Sequence, residues 1–196
     1  WGLIPLAQLY IDIGQYDKAK ELLEKSLKGH QKKFGDTHDK TISVYHPLGL
    51  AYAHLGLYDK ALDCFVKSQE SFVKHYGVEH IDYAIFLKDF GLFYVLTGDY
   101  EQAETMLNQA LTILEKAHHI ERYRCLEYLG DLYGKKYKAL QIQRNPGSSD
   151  HVVPKACLNQ ANVYFQQALQ IIQGVFPKDS FHIARIQSKK KYLITA

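Results

Sequence analysis

The stretch Gly14-Gln15-Tyr16-Asp17-Lys18-Ala19 decides the fold. It returns as Gly56-Leu57-Tyr58-Asp59-Lys60-Ala61 and again as Gly98-Asp99-Tyr100-Glu101-Gln102-Ala103, at an interval of 42 residues both times. The match extends onward, with Leu23, Phe65 and Leu107 in one phase and Ser26, Ser68 and Ala110 in another. Four residues ahead of each Gly stands Tyr10, Tyr52 or Tyr94. A fixed period in the range of ~20–50 residues marks a repeat architecture and overrides any purely local reading.

Each unit reads as two helices. Tyr45, Leu48, Tyr52 and Leu55 recur at steps of three and four, which is one helical face. The turn Leu55-Gly56-Leu57 follows, where Gly accepts the left-handed C-cap conformation. The next periodic run is Ala61, Leu62, Phe65 and Val66. Small residues at Ala19, Ala61 and Ala103 belong where two helices approach closely. Tyr10, Tyr52, Tyr94, Leu23, Phe65 and Leu107 belong between stacked pairs. One such hairpin cannot bury its apolar face alone, so neighbours stack into a continuous core.

These residues resemble the tetratricopeptide repeat (TPR), in the 42-residue variety of kinesin light chains and many bacterial proteins. The basic unit has ~34 residues; the additional length fits the inter-repeat segments Phe34-Gly35-Asp36-Thr37-His38 and Tyr76-Gly77-Val78-Glu79-His80. The resemblance covers about residues 3–120. It implies an all-α TPR α-solenoid, a right-handed superhelix of antiparallel helix pairs. The chain is then one array over 1–196, with units at 1–34, 39–76, 81–117 and 121–173. The fourth unit is irregular: Leu126, Leu129, Gly130 and Tyr133 arrive 39 residues after Leu87, Phe90, Gly91 and Tyr94. Its second helix fits Ala156 to Gln173, after an insertion at 137–155 centred on the breaker run Asn145-Pro146-Gly147-Ser148-Ser149-Asp150. The first part of that insertion, Lys135 to Arg144, also reads as a prolonged helix. Residues 180–195 read as a terminal capping helix with a basic patch, Lys189-Lys190-Lys191.

The 196 residues carry 24 Lys+Arg against 21 Asp+Glu, a net charge of +3, too balanced for a nucleic-acid or acidic-membrane magnet. At 46% hydrophobic with five Pro, the chain is not disordered in composition. No run approaches the ~18 apolar residues of a membrane span. Cys64, Cys125 and Cys157 form neither a disulfide framework nor a CxxC pair, so a reducing, cytoplasmic setting is expected. The start at Trp1 rather than Met reads as a segment of something larger.

No catalytic constellation, cofactor motif or metal motif emerges. His38 and His80 are 42 residues apart, and repeat phase explains them as a turn or cap contact. His118-His119 are adjacent and diverge on a helix; no HExxH pair is present. Cys64 and Cys125 sit beside core positions as small buried hydrophobes. Neither GxxxxGK[ST] nor GxGxxG occurs, so phosphate cradling is not indicated. Lys135, Lys136, Lys138 and Arg144 form the densest basic stretch, read first as a solvated face.

The TPR register places a concave wall on the first helices. It comprises Ile4, Gln8, Ile11 and Asp12; Ser43, His46, Leu50, Ala53 and His54; Ile85, Lys88, Leu92 and Val95; and Arg124, Glu127, Asp131 and Lys135. His46, His54, Lys88 and Arg124 are the expected anchors, and the complement is an apolar peptide or partner domain bearing an acidic group. Kinesin light chains would imply acidic cargo segments, often with Trp. Their paired first-helix asparagines are replaced here by His46-Pro47-Leu48-Gly49, Lys88-Asp89-Phe90-Gly91 and Glu127-Tyr128-Leu129-Gly130. The expectation is therefore a generic protein-interaction groove without catalysis. The alternative is a structural or regulatory segment that packs on its own parent chain or self-associates.

Overall fold

A computed structural model describes residues 2–142 and 152–195 of the chain. The repeat glycines Gly14, Gly56 and Gly98 take φ of 77°, 73° and 90°, left-handed values that end one helix and aim the next. Around these turns stand helix pairs: α1 (Leu3–Asp12) with α2 (Tyr16–Phe34), α4 (Tyr45–His54) with α5 (Tyr58–Tyr76), and α6 (Ile81–Thr97) with α7 (Tyr100–Lys116). The fourth pair is α8 (Arg122–Ile142) with α9 (Val152–Gln173), followed by α10 (Phe181–Thr195). A short α3 (Asp39–Ile42) precedes α4. Among the described residues there is no strand, and no helix is long and apolar enough to cross a membrane. The result is an all-α TPR solenoid.

The first helix of the second unit is split where its counterpart α6 runs unbroken for 17 residues. Pro47 stands at the position of Asp89 in α6. It has no N–H for the Ser43 carbonyl, and its ring crowds that turn, so the chain kinks at Ser43–Val44. The repeated histidines are caps, and a third belongs with them. The Nδ1 of His38 accepts from the Lys40 N–H at 3.1 Å, His80 from Asp82 at 3.1 Å and His119 from Glu121 at 3.3 Å. Each satisfies a backbone donor that a helix start leaves open.

Ala19, Ala61 and Ala103 are fully buried, as are Leu23, Phe65 and Leu107. Phe65 stacks on Phe90 at 4.9 Å, and Phe86 on Phe72 at 4.8 Å, linking the second and third units through one aromatic layer. The fourth unit repeats the pattern with Ala161, Phe165 and Ala168, on which Ile183 and Ile186 of α10 pack. The described residues of the expected insertion at 137–155 are helix. α8 continues to Ile142, and α9 begins at Val152 rather than Ala156, with Pro154 in a first turn that tolerates its missing N–H. The breaker run at 145–150 lies outside the described residues.

Gly49, Gly91 and Gly130 hold one position in successive first helices, against the second helix of the same pair. A Cβ on Gly130 would lie 2.6 Å from Cε1 of Phe165; on Gly91, 2.8 Å from Cγ of Leu107; on Gly49, 3.1 Å from Cβ of Cys64. Overpacking costs ~1–3 kcal/mol, against the ~1 kcal/mol a helix gains from Gly→Ala. Gly130→Ala is accordingly expected to destabilise the chain by about 1–2 kcal/mol, read as a lower urea midpoint. An unchanged or raised midpoint would show that Phe165 moves aside at no cost.

Candidate functional site

The inner face is built from α1, α4, α6 and α8, and charge runs across it from helix to helix. Asp12 Oδ1 of α1 accepts from Arg124 Nη2 of α8 at 3.1 Å, although 112 residues separate them. Arg124 also lies 3.8 Å from Glu121, whose Oε2 takes a 2.6 Å hydrogen bond from Lys88 Nζ of α6. Lys88 Nζ stands 3.3 Å from Asp89 Oδ1, an ion-pair contact without hydrogen-bond geometry, while Asp89 Oδ2 meets His46 Nε2 of α4 at 3.0 Å. A second cluster joins α8 to α10. Glu127 accepts two bonds from Arg185, at 2.8 and 2.6 Å, and lies 2.8 Å from Lys189, which also reaches Asp131.

This geometry corrects the expected anchors. Lys88 is 3% exposed, and Arg124 and Glu127 are buried as well, each engaged by charges of this chain. His46 is held between Asp89 and the aromatic layer of Phe72 and Phe86. Asp12 is taken up by Arg124, and exposed Gln8 lies within reach of Asp12, one turn on. Leu50 and Ala53 are core residues. Sequence reasoning read the first helices alone and so missed the partners: Glu121 in a linker, and Arg185 and Lys189 on α10. A signal was present, because Arg185/Lys189 and Glu127/Asp131 share the i, i+4 spacing that lets two helices pair charge for charge.

Burial opposes charge throughout this network, and the neighbours decide the outcome. Desolvation pushes Asp89 up, but the Lys88 ammonium and His46 override it and hold the carboxyl at about 2. Glu121 and Glu127 are likewise held below the carboxylate range despite burial, by Lys88 with Arg124 and by Lys189 with Arg185. At Asp131 burial wins, and its pKa rises. His54 stacks on Tyr16 with centroids 4.1 Å apart. Burial lowers its pKa to about 4; Asp89 pulls the other way, while Lys189, Arg124 and Arg185 reinforce the drop.

Two openings remain on this face. A cavity of about 260 Å³ lies at the centre, lined by Ile11, Leu50, His54, Tyr128, Phe181 and the paired charges around them. A cleft of about 300 Å³ lies between α6, α8 and α10, with Leu92, Val95, Leu96, Gly134 and Leu193 in its walls. Lys135, Lys138 and Tyr192 stand at the same cleft, the Lys138 ammonium 4.1 Å from the Tyr192 ring centre. Of the expected wall residues, Leu92, Val95, Asp131 and Lys135 line this cleft, and Ile11, Asp12, Leu50, His54, Arg124 and Glu127 line the central cavity.

One cluster has the residue types of a nucleophile relay. Ser71 Oγ is 3.2 Å from His75 Nδ1, and His75 Nε2 is 3.1 Å from Asp39 Oδ2. Nδ1 is also 2.9 Å from the Ser71 carbonyl oxygen, which only accepts and so competes with Ser71 Oγ for that nitrogen, as Asp39 does for Nε2; the arrangement does not aim a free base at Ser71 Oγ. Burial raises the Cys64 and Cys125 thiols to about 12, so they stay protonated and poorly nucleophilic at neutral pH.

Lys88→Glu is expected to place a third carboxylate against Asp89 and Glu121 and to cost about 3–5 kcal/mol, the scale of a broken buried pair. A melting curve matching the parent's would show that the inner face relaxes to expose residue 88. The pH dependence of stability has a defined sign at His54. The unfolded imidazole binds a proton near pH 6.5 and the folded one only near 4, so stability from this site is complete above about 6.5 and falls as pH drops through that window, by up to ~1.4 kcal/mol per unit. Urea midpoints between pH 7 and pH 5 are expected to fall less steeply for His54→Phe than for the parent chain; parallel slopes would assign the loss elsewhere.

Similarity to known proteins agrees with this architecture. BtubC (BKLC) from P. vanneervenii has a crystal structure matching at TM-score 0.59 and 22% identity, over 91% of this chain and 66% of that one. This chain thus spans just under two thirds of BtubC. A putative kinesin light chain of Podosopora anserina with nearly identical TPR-like repeats matches at TM-score 0.61 and 18% identity, over 98% of this chain and 84% of that one. A variant of the same protein matches at 0.62 and 18%, with the same coverage. No curated protein matches the sequence. The tetratricopeptide repeat family model matches residues 2–68 and 42–116, more than half of the chain. This chain belongs to the tetratricopeptide repeat family.

Proposed function

We propose that the chain is a non-catalytic protein-interaction module that docks a partner segment on the open, C-terminal part of its inner face. TPR arrays are in general protein-binding modules, so the finer question is where on the array a ligand sits. The observation that carries the reading is the division of the inner face. Lys88, Arg124 and Glu127 are spent on partners within the chain. Leu92 and Val95, buried core residues, form the floor of a cleft at which Leu96, Lys135 and Lys138 are more accessible.

About 300 Å³ accommodates one large apolar side chain. Lys135 and Lys138 at the cleft complement carboxylates beside that side chain, fixing orientation while the apolar contact supplies most of the affinity. The expected ligand is therefore a short segment with a bulky apolar residue flanked by Asp or Glu, in a partner protein. The central network acts as a brace that fixes the curvature of the docking face.

The test is a synthetic peptide array varying one apolar residue within acidic flanks, followed by fluorescence anisotropy of the best binders. Lys135→Glu/Lys138→Glu is expected to weaken them roughly tenfold or more, on the scale of two lost charge contacts, with the fold unchanged by circular dichroism. Binding that the double variant leaves intact, or binders without acidic residues, would remove the cleft from the reading.

A further inference from the structure

Tyr128 of α8 stands two residues ahead of Gly130, as Pro47 and Asp89 stand two ahead of Gly49 and Gly91. At that position in α6 the polar group is answered within the chain, Asp89 by Lys88 and His46. The Tyr128 hydroxyl is not. The residue is only 8% exposed, and its hydroxyl has no hydrogen-bond partner among the described residues. A buried hydroxyl left unpaired is costly, so it calls for a partner from outside the fold.

Tyr128 lines the central cavity of about 260 Å³, and two further polar side chains there share its condition. Tyr16, at the start of α2, and His54, at the end of α4, stack on each other, yet neither side chain hydrogen-bonds a described residue. Arg124 spends Nε on Tyr123 and Nη2 on Asp12, and Arg185 spends Nε and Nη2 on Glu127. The Nη1 group of each arginine is left over. Charge at the walls favours an anion. Arg124, Arg185 and Lys189 line the cavity with Asp12 and Glu127, and those two acids are already taken by the same cations. Asp131, the other partner of Lys189, lines the neighbouring cleft instead. Burial raises the pKa of both tyrosines, and the charges around them pull it back: Arg185, Lys189 and Arg124 at Tyr16, Arg124 and Lys88 at Tyr128, in each case ahead of the acids. Hydroxyl donors in a positive field suit an oxyanion.

We propose that the central cavity is a binding site for a small free monocarboxylate with a short apolar or aromatic body. Its carboxylate accepts from the Tyr128 and Tyr16 hydroxyls and from the spare guanidinium groups, and its body lies against Ile11, Leu50 and Phe181. One negative charge balances three cations against two acids at the walls. The volume suits a molecule on the order of ten non-hydrogen atoms. The Asp12–Arg124 bridge spans the inner face beside the cavity, which favours a compact molecule over a threaded peptide. Neither Lys135 nor Lys138 lines it, so the site stands apart from peptide docking at the cleft.

Isothermal titration calorimetry of the 196-residue chain at neutral pH with benzoate, phenylacetate and hexanoate, each beside its neutral amide, tests the site. At least one of the acids is expected to bind at a single site per chain, with its amide weaker by roughly tenfold or more. Tyr128→Phe removes only the unpaired hydroxyl, so its circular dichroism melt should match or exceed the parent's while the affinity for the acid falls roughly tenfold. Tyr16→Phe should weaken the acid in the same direction, and it decides the matter if Tyr128→Phe melts early. The proposal is overturned if none of the three acids binds at millimolar concentration or if the amides bind equally well. It is overturned also if the folded tyrosine variant retains the parent's affinity.

Discussion

The close approach of the two helices within each pair is the constraint on which the remaining structure depends. Ala19, Ala61 and Ala103 on the second helices, and Gly49, Gly91 and Gly130 on the first, remove side chains at the crossing. Leu107 and Phe165 then seat against bare backbone. Helices that near cannot also satisfy a large apolar face within one pair, so Tyr52, Phe65, Phe86 and Phe90 are shared between neighbours. Stacking follows from that sharing, and the curvature of the stack brings successive first helices together on the inside.

Bringing them together creates an electrostatic problem that the chain solves in its own sequence. Lys88, Asp89, Glu121, Arg124 and Glu127 would each be costly to bury alone. Lys88 and Arg124 neutralise Asp89 and Glu121, and Lys189 and Arg185 neutralise Glu127, and the depressed Asp89, Glu121 and Glu127 carboxyls follow from that pairing. The link from Arg124 to Asp12 closes the inner wall across 112 residues of chain. Such a network is weak as a source of net stability but strict about geometry, because any displacement leaves a charge unpaired. It holds the curvature fixed and leaves the C-terminal cleft as a preformed surface.

The fold was legible because it is periodic. The strings at Gly14, Gly56 and Gly98 pointed to the buried Ala19, Ala61 and Ala103 and to Leu23, Phe65 and Leu107, whereas Leu62 and Val66 of the same periodic run are exposed. The site was less legible, for a physical reason. Periodicity reports which way a residue points relative to its own pair, and on that basis Lys88 and Arg124 were expected in the groove wall. It does not report how far a neighbouring helix reaches. The burial of those charges depends on Glu121, Arg185 and Lys189, which lie in a shortened linker and in a helix outside the repeat phase. The split of α3 from α4 was readable from Pro47 alone.

Departures from the period therefore carry more functional information than the period does. Where the 42-residue spacing holds, a residue is explained by the repeat: His38 and His80, in phase, are caps. Where it breaks, stacking offers no explanation. The 39-residue step into the fourth unit coincides with the cleft between α6, α8 and α10. The outward row of α5 departs in character rather than spacing, with Leu62 and Val66 where α2 has Lys20 and Glu24. The polar residues of α2 and α7 have partners within the chain there, Glu24 with the Tyr52 hydroxyl and Glu104 with that of Tyr133, which the aliphatic Val66 and Leu62 cannot supply.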